Sequence, residues 1–253
     1  MLKRRVIPLL LIDGPNLVKG KQFDNWRRVG TLVPAVNVHN SRDVDELVVI
    51  DAGATKGNRS FDFSILTQVR GRCFVPLTVG GGVRTLEEAS LLIEQGADKV
   101  LLGSSCSESM KLVKMIAEKY GSQAVVVSVD VRRELDRVTC WTHGGSNQLA
   151  VNPFERGRAA IEAGAGEILV NSIDRDGEMN GFDIDLMAEM VREVKVPVIA
   201  AGGAGSINDV VDVFDQAGVA AVAAGSLFQF TEVTPASIRD ALAARGHPVR
   251  STQ

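Results

Sequence analysis

Short apolar runs with no polar alternation recur along the chain, at Val6 to Leu11, Glu46 to Asp51, Phe74 to Val79, Lys99 to Leu102, Ala124 to Asp130, Glu167 to Asn171, Val196 to Ala200 and Ala220 to Ala224. Runs that stay apolar at consecutive positions predict strands covered on both faces. Between them lie segments with helical spacing. Thr85-Leu86-Glu87-Glu88 is a capping box that opens Ala89 to Gln95 and stops at Gly96. Ser107 to Tyr120, Pro153 to Ala163, Asp185 to Val194, Ser206 to Ala217 and Thr234 to Ala244 follow the same pattern. Eight strands alternating with helices predict an α/β fold, a (β/α)8 TIM barrel, as one domain over residues 1–253.

The pattern also repeats within itself. At an offset of 121 or 122 residues, Glu46-Leu47 aligns with Glu167-Ile168, Pro76 with Pro197, Gly81-Gly82 with Gly202-Gly203, and Gly103-Ser104 with Gly225-Ser226. This predicts two duplicated half-barrels, about 1–122 and 123–253. A strand that ends in glycines lets backbone N–H groups approach an anion without a Cβ in the way. Two such cradles predict a ligand with a phosphate at each end. Chemistry in barrels of this kind sits at the C-terminal ends of the strands. Two connections there are long, Asp13 to Leu32 and Asp174 to Ile184, and loops of that length often serve as lids.

Composition narrows the partners. A net charge of -3 provides no basic field for nucleic acid, so phosphate binding is expected to be local and small-molecule in scale. Cys73, Cys106 and Cys140 lack metal or disulfide spacing, and His39, His143 and His247 are equally scattered, so neither metal nor cofactor is expected. Lys3-Arg4-Arg5 before Val6 to Ile12 has the charge order of a signal peptide. The apolar run is short, contains Pro8 and ends at Asp13 without a small-residue cleavage site, so it is read as a strand of a cytoplasmic protein. No run approaches the roughly 20 apolar residues of a membrane span.

Several runs resemble a known family. Gly121-Ser122-Gln123-Ala124-Val125-Val126-Val127, Gly164-Ala165-Gly166-Glu167-Ile168-Leu169, Ser172-Ile173-Asp174-Arg175-Asp176-Gly177 and Gly202-Gly203-Ala204-Gly205 resemble HisF, the cyclase subunit of imidazole glycerol phosphate synthase. The resemblance covers nearly the whole chain. It implies a lyase-type cyclase that uses ammonia from a separate glutaminase, in a heterodimer, on a substrate with two phosphates. The implied phosphate and substrate contacts are Gly81, Gly82, Gly103, Ser104, Asp176, Gly177, Gly202, Gly203, Gly225 and Ser226. Asp130 matches one of the family's two catalytic aspartates, and Lys19 matches its mobile-loop lysine. Arg5, Glu46, Lys99 and Glu167 match the ring of charges that gates ammonia at the barrel's bottom, and Asp98 and Gln123 match positions on the face that docks the glutaminase.

The chain departs from the family's pattern at the chemistry. Leu11 stands where the second catalytic aspartate is expected; Asp13, two residues on, is the candidate to replace it. Gly103 replaces an asparagine, Asn171 a hydroxyl residue and Gly144 a serine. Three readings remain. The first is the histidine-pathway cyclase. The second is a paralogue, because Arg5-Val6-Ile7-Pro8-Leu9-Leu10-Leu11 resembles HisF-like proteins of acetamidino sugar modification, which would deliver ammonia to a sugar amidotransferase for surface polysaccharide. The third is a non-catalytic phosphosugar-binding activator of its glutaminase.

Overall fold

Hydrophobic runs become strands wherever both faces find cover. The computed structural model describes residues 3–135 and 137–251. In chain order the strands are β1 (Arg5–Asp13), β2 (Asn16–Lys21), β3 (Asp24–Thr31), β4 (Leu47–Asp51), β5 (Leu77–Gly80), β6 (Lys99–Leu102), β7 (Val125–Glu134), β8 (Arg137–Thr142), β9 (Asn147–Gln148), β10 (Glu167–Ser172), β11 (Val198–Ala201) and β12 (Ala221–Ala224). Eight of them, β1, β4, β5, β6, β7, β10, β11 and β12, pair in parallel in that order, and β12 returns to β1 to close a (β/α)8 barrel.

Alternation along β1 divides the core. Ile7, Leu9 and Leu11 point into the barrel with Val48, Leu101, Val126, Leu169 and Ile199, whereas Val6, Leu10 and Ile12 face the surrounding helices. The two halves carry the same register. Leu47 pairs with Leu77 and Ile168 with Val198; Val6 pairs with Val222 and Val100 with Val125.

The observed bounds differ from the sequence expectations where proline intervenes. Val198 and Leu77 open strands expected from Val196 and Phe74, because Pro197 and Pro76 lack the N–H a ladder needs. Phe74 is 84% exposed. The expected loop from Asp13 to Leu32 is instead an antiparallel continuation, β1 to β2 to β3. Its turn is carried by Gln22 and Phe23 at φ of 53° and 63°, so the glycine signal for a hairpin is missing. β7 continues likewise into β8 and β9. Helices Leu32–Ser41 and Phe63–Arg70 were also not expected.

Candidate functional site

At the C-terminal mouth of the barrel, two glycine turns face one another across Leu11. The first, Gly81 and Gly82 after β5 with Gly103 and Ser104 after β6, opens into a cavity of about 500 Å³. The second, Gly202 and Gly203 after β11 with Gly225 and Ser226 after β12, lines a much smaller recess of about 20 Å³ with Lys19, Asp176 and Gly177. Positive φ at Gly81 (92°) and Gly202 (84°) excludes other residues from both turns. A Cβ on Gly81 would strike the Asp51 carbonyl, and one on Gly202 the Ser172 carbonyl, 121 residues further on. The expected phosphate residues therefore fall into two matched groups.

Asp130 ends the barrel portion of β7 and lines the larger cavity. Its Oδ1 accepts a hydrogen bond from Ser128 Oγ at 2.7 Å. Burial pushes its carboxyl up to about 6, against the opposing pull of that hydrogen bond and of the Arg156 charge. Asp51 and Glu108 also line this cavity, but β1 presents Leu11 to it rather than a carboxylate. Leu11 is 7% exposed and sits with Ile50, Leu101 and Leu169 in an apolar wall.

Asp13 does not fill the gap. Beyond Ile12, β1 leaves the barrel to pair with β2, and Asp13 pairs with Asn16 at the rim. Its side chain is 63% exposed and bound by Arg59 at 2.9 Å, outside the cavity lining. Arg59 also holds Asp51, which caps the short helix Ala52–Lys56. Strand alternation correctly puts residues 11 and 13 on one face, but the barrel ends between them.

Lys19 of β2 is brought to the second cradle. Its Nζ donates to the Leu9 carbonyl at 3.3 Å, and a Cβ on Gly225 would fall on that Nζ. Burial lowers Lys19 to about 8, partly offset by Asp176; burial raises Asp176 to about 6, partly offset by Lys19 and by the Phe23 backbone N–H. The hairpin is closed over the mouth. Gln22 N–H donates to the Asp176 carbonyl at 2.8 Å, Lys21 pairs with Glu178 at 3.1 Å, and Phe23 and Trp26 form part of the cavity wall.

At the opposite end of the barrel the four expected charges form a closed ring. Arg5 bonds Glu46 at 2.6 Å and Glu167 at 2.8 Å; Lys99 bonds Glu46 at 3.1 Å and Glu167 at 2.9 Å. Two cations bridged by two carboxylates neutralise one another, which half-buried charges require. Asp98 and Gln123 are exposed near the same end. Asp98 accepts from Leu77 N–H at 2.8 Å, and the Gln123 amide donates to the Tyr120 carbonyl at 3.0 Å.

Sequence reasoning missed Arg156, and it gave no place to His143, which lines the larger cavity. Arg156, buried on helix Pro153–Glu162, donates to the carbonyls of Gly103 at 3.0 Å and Cys106 at 3.2 Å and so braces the first cradle from behind. Nothing in a helical pattern distinguishes such an arginine from a solvated one. Asn171 lines the larger cavity with a buried Oδ1 that has no hydrogen-bond partner among the described residues. Those residues contain no cluster of histidine, cysteine or carboxylate side chains suited to a metal ion. No helix among them is long and apolar enough to cross a membrane.

Comparison with known proteins agrees with this geometry. Residues 5–234 match the family model described as histidine biosynthesis protein. A Pseudomonas aeruginosa chain, provisionally named imidazole glycerol phosphate synthase subunit hisF2, is 42% identical over 231 residues, 91% of this chain and 92% of that one. The imidazole glycerol phosphate synthase subunit HisF of Streptomyces coelicolor is 40% identical over 247 residues, 97% and 98% of the two chains. That of Chlorobium limicola is 38% identical over 250 residues, 99% and 100%. Barrel, cradles and near full-length similarity converge: the chain belongs to the histidine biosynthesis protein family and is HisF-like within it.

Proposed function

We propose that this chain is a HisF-type synthase subunit that receives ammonia from a separate glutaminase and uses it at a phosphosugar site with altered acid–base chemistry. The observation that carries the reading is the order of side chains along the barrel axis. A four-charge ring stands at one end, an apolar interior of Ile7, Leu9, Val48, Leu101 and Leu169 follows, and Asp130 waits at the other. Neutral ammonia crosses an apolar interior at little cost, whereas ammonium does not. A side chain near pH 6 is suited to take a proton from an attacking amine and return it to a leaving group. Asp98 and Gln123 offer polar contacts for the glutaminase, making a cytoplasmic heterodimer.

Leu11 favours a paralogue over the histidine-pathway cyclase. Loss of one member of an acid–base pair typically costs about 10²- to 10⁴-fold in rate. Ammonia delivered past Asp130 then serves another acceptor, and a sugar amidotransferase that amidinates surface polysaccharide is the partner this reading names. The test is turnover of the phosphoribulosyl formimino aminoimidazole carboxamide ribonucleotide with excess ammonium. We expect a feeble rate that Leu11→Asp raises. Family-like turnover abolished by Asp130→Asn would overturn the paralogue reading, and a chain that binds no HisH-type glutaminase would overturn ammonia delivery.

A further inference from the structure

We infer that His143 supplies a side-chain donor to the first cradle and binds the phosphate monoester that the cradle accepts, an inference that rests on the phosphosugar reading of the site. Each half of the barrel begins with a strand that overruns the barrel and folds back as an antiparallel extension: β1 into β2 and β3, β7 into β8 and β9. Each extension reaches the glycine turn after the neighbouring barrel strand. That from β1 carries Lys19 to Gly225, beyond β12; that from β7 carries His143 to Ser104, beyond β6. His143 thus holds in one half the place that Lys19 holds in the other.

Local geometry supports a ligand role. The His143 N–H donates to Ser104 Oγ at 2.9 Å, leaving the serine hydroxyl proton to point elsewhere. In the β7–β8 register Trp141 faces Asp130, so the chain two residues on runs back toward Ser128, and Ser128, Asp130 and His143 line the same cavity. His143 adopts φ of 54°, a strained conformation that asparagine or glycine holds more easily. Its Nδ1 is buried without a partner among the described residues. An unmet lone pair there costs less than an unmet N–H, which favours the tautomer with its N–H on Nε2, and His143 borders the cavity. Gly103 brings no side chain to this cradle, and the nearest atom to a Cβ at that position is Ser128 Cβ at 3.8 Å, so space for the ring and an anion is open.

The experiment titrates the intact chain with ribose 5-phosphate while following histidine ring and backbone amide resonances by NMR. The chain has three histidines. His39, packed against Phe228, and His247, bonded to Asp215, lie outside the cavity lining and serve as references. Saturable shifts of His143 and of the Gly81 and Gly82 amides with one Kd are expected. His143→Asn, which keeps the turn, is expected to weaken binding about tenfold, the loss of one hydrogen bond to a charged group, and His143→Gln to recover part of it. If the glycine amides shift while His143 does not, or His143→Asn binds as tightly as the parent, the inference fails and the phosphosugar reading stands. If neither the glycines nor His143 respond, both fall at this end of the site.

Discussion

Replacing Asp130 by asparagine is expected to make the protein more stable while removing the carboxyl proposed above as its acid–base group. An aspartate titrates near 3.9 in an unfolded chain and, at this site, at about 6. A separation of about two pH units corresponds to about 3 kcal/mol, and access of water to a half-buried side chain reduces this to about 2 kcal/mol at pH 7. Asparagine has nearly the same volume and keeps an acceptor for Ser128 Oγ. The sign follows from proton linkage. Because the folded state holds the proton more tightly, the contribution of Asp130 to stability is fully present below about pH 3.9 and is lost as the pH rises through 6. Asp130→Asn abolishes that loss. Urea unfolding at pH 4, 6 and 8 should show the variant more stable than the parent at pH 8, with the difference shrinking toward zero at pH 4. Other carboxylates titrate in both proteins and cancel, apart from a small change at Asp176, whose charge acts on Asp130. A variant less stable than the parent at pH 8, or a difference independent of pH, would refute the assignment of burial as the cause.

Glu167→Gln leaves Arg5 and Lys99 to share Glu46, and should lower stability by about 2 kcal/mol in urea, less than a fully buried pair would lose because the ring is partly wet; a change below about 0.5 kcal/mol would show the ring to be energetically idle. Gly225→Ala places a methyl group where the Lys19 Nζ lies, so the β2–β3 hairpin should open more often and trypsin should cut it at Lys21, Arg27 or Arg28 about tenfold faster, the equivalent of one lost hydrogen bond to a charged group. Equal cleavage rates would mean that Lys19 does not hold the hairpin down. Leu11→Asp exchanges a packed side chain for a desolvated carboxylate in the cavity that Asp130 lines and should cost about 2–4 kcal/mol at pH 8, less at pH 4, as thermal denaturation at both values would test.

The barrel strands were legible because a run buried on both faces needs no alternation, and the sequence between Lys99 and Leu102 or Glu167 and Asn171 admits few other readings. Helix starts were equally plain where a side chain caps the backbone: Thr85 with Glu88, and Ser206 with Asp209, form capping boxes. Helix Leu32–Ser41 has no such signal. Its preceding Thr31 makes no side-chain cap bond, and Pro34 lies in its first turn. The hairpin β2–β3 was hidden for a different reason, since two ordinary residues hold its strained turn where asparagine and glycine usually advertise one. Within the site, Asp130 and Lys19 were found through resemblance to a family, and each lines a pocket of the mouth. Asp13 was misplaced because periodicity gives the face of a residue but not the height at which the barrel stops.

The two cradles share their glycine geometry, yet one is open and the other nearly full, and the cause lies in which atoms the two extensions bring. Lys19 reaches Gly225 with its side chain, so its ammonium fills the recess from inside. His143 reaches Ser104 with its backbone N–H, so its ring stays free to border the cavity. A ligand can therefore enter the first cradle while the β2–β3 hairpin stays docked on the Asp176 turn, whereas the second cradle admits an anion only after Lys19 yields space or pairs with it. On the phosphosugar reading proposed above, binding is then expected to proceed in order, from the half carrying Gly81 and Gly82 to the half carrying Gly202 and Gly203. That order places Asp130, which borders the first cavity, beside the ligand before the second end is seated. On that reading, a chain with Leu11 at the end of its first strand keeps such an order only if the first-half contacts carry binding, which is why His143 rather than Lys19 is the more informative residue to change.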